Sequence, residues 1–102
     1  MQVQLIRPPK PAADGVSAEM IHNCQDMQVV LIQLSPGGAL PVSTSSSSVS
    51  LQVVSGRCEL VAGAEWVEAR AGTMWFYPPG EPFGVRATDE PATVLATYAP
   101  RP

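Results

Sequence analysis

Eleven prolines and eight glycines break this 102-residue chain into short pieces, and that punctuation decides the fold class. An interior proline costs a helix about 3 kcal/mol and a glycine about 1 kcal/mol relative to alanine. Beyond Ser35, no stretch free of both is longer than one short element. The longest gap, residues 42–55, is mostly Ser, Thr and Val, all poor helix formers. The second half is therefore expected to be β.

Its strands can be read individually. Val49, Leu51 and Val53 alternate with Ser50 and Gln52, the period-two pattern of a strand with one buried face. Ser55-Gly56-Arg57 is expected to turn the chain, and residues 58–61 to return it. A second turn at residues 62–64 leads into a strand over 65–69. Residues 73–77 (TMWFY) are apolar on both faces and are expected to be buried on both. Pro78-Pro79-Gly80 ends that strand, and residues 83–86 and 93–98 supply two more. In the first half, residues 27–34 (MQVVLIQL) read as a buried strand. Residues 16–24 read as a strand or a helical turn, and residues 1–15, with Pro8, Pro9 and Pro11, as an irregular arm. Short strands separated by turn residues describe a sandwich or barrel.

Composition narrows the class further. One domain over residues 1–102 is the natural reading, with a globular share of 45% hydrophobic and 15% charged residues. The net charge of −3 and six scattered basic residues argue against a nucleic-acid partner, which needs clustered Lys and Arg. No apolar run approaches the roughly 20 residues that span a bilayer. With no signal-like start, a cytoplasmic location and no membrane partner are expected. Cys24 and Cys58 lack metal-type spacing and are expected to be reduced, buried thiols.

The spacing of the turn residues resembles the two motifs of the cupin family. The first motif is a Gly, five residues, His-x-His, three or four residues, Glu, six residues and a Gly; anchored on Gly37 and Gly56, it fits without a gap. The second is a Gly, five residues, Pro-x-Gly, two residues and a His; Gly72, Pro78 and Gly80 match it. The resemblance covers residues 27–98 and implies an all-β, double-stranded β-helix of the jelly-roll type. An immunoglobulin-like sandwich is the competing reading, and the absence of any Trp between Cys24 and Cys58 counts against it.

The resemblance also locates what is missing. The positions of the family's metal ligands fall on Ser43, Ser45, Val49 and Phe83. Divalent metals in such sites want imidazole nitrogen and carboxylate oxygen; a serine hydroxyl is weak, and valine and phenylalanine cannot coordinate. Residues 39–58 contain no Asp, Glu or His, and Glu81 alone does not make a site. No metal and no other cofactor is expected.

Three functions stay open. The leading one is a metal-independent small-molecule binding or regulatory domain. Its pocket would be lined by Ser43, Ser45, Val49, Leu51, Trp75, Tyr77 and Phe83, and would take an apolar or mixed-polarity ligand. The second is an enzyme, either a metal-free isomerase or lyase pairing His22 with Tyr77 or Tyr98, or a degenerate relative of a metal-dependent oxygenase. No convincing dyad supports it, so the reading leans away from catalysis. The third is an interaction domain with Val49 and Phe83 plugging the barrel. The family resemblance also implies a homodimer, often through an N-terminal strand, with the apolar strand over 27–34 as an edge that pairing would protect.

Overall fold

The computed structural model describes residues 15–102, which form seven antiparallel strands and no helix: β1 (Val16–Cys24), β2 (Met27–Leu34), β3 (Ala39–Ser43), β4 (Ser48–Ala62), β5 (Glu65–Arg70), β6 (Met74–Tyr77) and β7 (Phe83–Ala99). The expected arm over residues 1–15 lies outside the described residues except for Gly15. Residues 16–24 resolve as a strand, and β2 has the bounds read from its apolar run. β3 has no counterpart in the sequence reading, because Ala39-Leu40-Pro41 carries no alternating pattern.

Two long strands correct that reading. The turn expected at Ser55-Gly56-Arg57 does not form; β4 continues through it for 15 residues. Likewise the two strands expected over 83–86 and 93–98 are one, the 17-residue β7. β4 bends where it was expected to reverse. Register shifts between Val53 and Ser55, and between Gly56 and Cys58, bend it against β7. Gly56 makes this possible. It sits at φ +79°, and a Cβ there would lie 2.1 Å from the Pro91 carbonyl oxygen and 2.9 Å from the Ala92 Cα. Only glycine permits both that conformation and that approach.

The bends let β4 and β7 serve two layers. In one layer the order is β1-β2-β7-β4-β6, using residues 92–99 of β7 and 48–53 of β4. In the other it is β3-β7-β4-β5, using residues 83–87 and 58–62 of the same strands. Inward residues of both layers make one core: Ile32, Leu34, Leu51, Val53, Val94 and Ala96 from the first, Cys58, Leu60, Val85 and Ala87 from the second. β2 is bonded on both sides, by β1 and β7, so it is not the edge that pairing would protect.

β6 is a further correction. It is not buried on both faces: Trp75 packs toward the core and Tyr77 is buried, whereas Met74 is 48% and Phe76 69% exposed. Sequence pattern cannot tell the faces apart because all four residues are apolar. Both cysteines are free, but only Cys58 is buried; Cys24 is exposed.

Candidate functional site

Of the four positions that the resemblance assigns to metal ligands, Ser43, Val49 and Phe83 lie near one another. Ser43 at the end of β3 is the cross-strand partner of Phe83 at the start of β7. Val49 on β4 is flanked by Tyr77 of β6 and Tyr98 of β7. The Phe83 ring lies between those same tyrosines, 6.0 Å from each ring centroid, tilted to one and edge-on to the other. Such aromatic contacts are favourable at this separation. Ser45 is held by the loop before β4: its hydroxyl accepts from the Ser47 amide at 3.1 Å, and its carbonyl accepts from the Gly80 amide at 2.8 Å. The Pro78-Pro79-Gly80 turn is thereby tied to the loop carrying the first motif.

This arrangement does not suit a metal. Its members offer two hydroxyls, a hydrocarbon and a phenyl ring, and Ser43 is exposed. Among the described residues no group of three or more His, Cys, Asp or Glu could hold an ion. Divalent-metal chemistry has no donor set here.

Most of the expected lining residues are buried from solvent. Of the seven expected lining residues, Val49 and Phe83 are 3% exposed, Tyr77 1% and Leu51 0%. Trp75 packs against the same core, and the two serines stand at its margin. The Tyr77 hydroxyl donates to the Val61 carbonyl at 2.6 Å, joining the two layers through the core. Burial, with lesser contributions from Glu81 and Cys58, pushes the Tyr77 phenol up to about 12, and burial also raises Tyr98. Neither is tuned to exchange a proton near neutrality.

The structure does not bring His22 to either tyrosine. His22 pairs with Val29, and Val29 pairs with Thr97. Side chains alternate along a strand, so His22 shares the outward face with Thr97, while Tyr98 points to the interior. A sheet separates the members of the expected dyad.

A hollow that the sequence does not announce lies on the outside of the first layer. A groove of about 490 Å³ is lined by Ser48, Ser50, Phe76, Pro78, Thr97 and Ala99, with Val49 and Tyr77 at its floor. That floor is the β6-β4-β7 ladder, where Ser50 faces both Phe76 and Thr97. The one signal for it in the sequence is the double-sided apolarity of β6.

Comparison with known proteins agrees with this architecture. The cupin domain family model matches residues 30–98. An RmlC-like cupin from Desulfovibrio desulfuricans superposes with a TM-score of 0.85 at 25% identity, over 98% of this chain and 96% of that one. The TT1209 protein of Thermus thermophilus gives 0.81 at 28% identity, over 89% of each chain. The cupin domain of an XRE family transcriptional regulator from Enterobacter cloacae gives 0.75 at 17% identity, over 86% of this chain and 98% of that one. No curated protein matches the chain in sequence. With the two-layer jelly roll, the glycine and proline spacing of both motifs, and a family match over residues 30–98, this chain belongs to the cupin family.

Proposed function

We propose that this cupin is a metal-independent binding or regulatory module whose barrel interior is structural. The carrying observation is Phe83. Where the family motif has a metal-binding histidine, this chain places a 3%-exposed phenyl ring packed against Tyr77 and Tyr98. A group in that position contributes stability, not coordination. Recognition then falls to the outside of the barrel, where the groove beside Phe76 lies. The cupin domain of the Enterobacter cloacae regulator supports the idea that this fold serves regulatory proteins.

Metal analysis of the purified chain, paired with thermal unfolding in the presence and absence of a chelator, tests the reading. The expected result is well below one equivalent of iron, manganese, zinc or nickel, with an unchanged Tm. One equivalent of a tightly held metal, with Tm falling on chelation, would overturn it.

A further inference from the structure

The tip of the β1–β2 hairpin gathers three side chains that the barrel does not use. The chain has one histidine, His22, and one exposed cysteine, Cys24. Met27, 40% exposed, opens β2 just after the turn. Strand register places the three together. Cys24 is the cross-strand partner of Met27, and His22 that of Val29. Side chains alternate along a strand, so His22, Cys24 and Met27 stand on one face, with Asn23 and Gln28 on the other. The irregularity in β1 falls between Met20 and His22, before these residues, and leaves their alternation intact.

The spacing suits a shared ligand. Directly opposed Cβ atoms lie about 4.5–5.5 Å apart, and residues two apart on one strand about 6.6 Å apart. Side chains as long as these close such a triangle on one ion at bonds of roughly 2.0–2.3 Å, the range of imidazole and thiolate ligands. The turn itself is anchored, because the Gln25 carbonyl accepts from the Arg101 amide at 3.3 Å.

The donor set chooses the metal. Among the described residues no three of His, Cys, Asp or Glu come together, so Asp26 in the turn does not complete a set of hard donors. The third donor is instead a thioether, neutral and polarisable. Thiolate and thioether select cuprous copper, and imidazole also suits copper. Charge agrees with this choice. One thiolate with two neutral donors balances a single positive charge, whereas a divalent ion would keep an excess.

We propose that His22, Cys24 and Met27 form a cuprous-ion site at the hairpin tip. The Cys24 thiol gives its proton to water as the ion binds, since the thiolate is the ligand. Copper enters and leaves as the monovalent ion, so no electron is transferred. A structural site encloses its metal; three ligands on an open tip leave one side of the ion accessible, as uptake and release of copper require. The site lies outside the barrel. The inference therefore goes beyond the reading of the interior and does not depend on it, and copper is not among the metals whose absence tests that reading.

Competition for copper against a coloured cuprous chelator tests the proposal, using the full chain without oxygen and with ascorbate as reductant. The wild type is expected to withdraw one copper per chain. Met27→Leu conserves side-chain volume and removes the sulfur; it should weaken binding roughly 10–100-fold. His22→Gln should fall in the same range, and Cys24→Ser should abolish withdrawal. Met20→Leu, on the other face beside Gln28, should bind as the wild type does. Circular dichroism checks that each variant is folded, and X-ray absorption at the copper edge should show two sulfur neighbours in the wild type and one in Met27→Leu. A wild type that withdraws no copper overturns the proposal. So does a Met27→Leu protein that binds as tightly as the wild type, or zinc that displaces the cuprous ion at equal concentration.

Discussion

The outward faces of the two layers are built from the same two strands and are chemically opposite. Where β4 and β7 pass through the second layer with β5, they carry Arg57, Glu59, Glu65, Glu68, Arg70, Arg86, Asp89 and Glu90, eight of the fifteen charged residues in the chain. There Arg57 meets Asp89 at 2.9 Å, Arg70 meets Glu68 at 3.1 Å and Arg86 meets Glu59 at 2.7 Å. Past the bends, β4 and β7 carry none, and with β6 beside them hydroxyls, a thioether and a phenyl ring take over. Both halves bury equally apolar inner faces, so the core does not set this difference. The second layer presents charge to solvent, and the first presents hydroxyls and apolar groups. Strand continuity therefore does not impose one surface chemistry; a bend of a few residues around Gly56 separates two.

The largest expected effect concerns what joins the layers. Phe83 opens β7 in the second layer and packs its ring against Tyr77 and Tyr98 of the first. Phe83→Ala should cost about 3–5 kcal/mol, the usual range for emptying a packed aromatic site. Urea unfolding at fixed protein concentration measures it. A loss below about 1 kcal/mol would mean the ring lines an open pocket, and the division into a structural interior and functional exterior would break.

Next in size is an alkaline transition arising from the interior, not from the charged face. Burial, and secondarily Glu59, raises the Cys58 thiol from 9.0 to about 11; the Tyr77 phenol rises from 10.0 to about 12. Both groups are neutral when protonated, and both titrate at higher pH in the folded chain than in the unfolded one. Their contribution is therefore complete below about pH 9 and is lost as pH climbs through about 11 and 12, at on the order of 2 kcal/mol per group. Unfolding free energy should thus fall between about pH 9 and 12, and Tyr77→Phe should flatten the upper part of the fall. Stability that is level up to pH 12 would show that these groups are not desolvated.

How much of this could be read beforehand follows from which residues speak unambiguously. Proline and glycine constrain backbone directly, so the β class and both family motifs were legible, and Met27–Leu34 emerged with its bounds. Gly56 misled because a glycine of positive φ serves a bend as well as a reversal; only the approach of Pro91, far away in sequence, distinguishes them. β6 misled because four apolar residues carry no facing signal. The residues at the motif positions, Ser43, Ser45, Val49 and Phe83, were legible one by one. Their burial was not, since Phe83 can line or fill a cavity with equal hydrophobicity, and its packing on Tyr77 and Tyr98 comes from long-range pairing. The groove was out of reach, because it is assembled from β4, β6 and β7 by long-range pairing.

The smallest expected effect sharpens the contrast from the charged side. The Arg86 guanidinium lies 4.2 Å from the Trp66 ring centroid while its Nε donates to Glu59. Arg86 is 43% and Glu59 27% exposed, so solvent screens the pair, and such contacts contribute about 1 kcal/mol or less. Stacking on a partly exposed Trp66 adds about 0.5–1 kcal/mol. Arg86→Met keeps an apolar stem over the indole and removes the charge; it should cost about 0.5–1 kcal/mol at low ionic strength. At molar salt, where the Debye length shrinks to about 3 Å, most of that difference should vanish. If instead the cost of Arg86→Met is unchanged by salt, the arginine acts by close stacking of its guanidinium on Trp66 and its hydrogen bond to Glu59, and the second layer owes less to its charges than their number suggests.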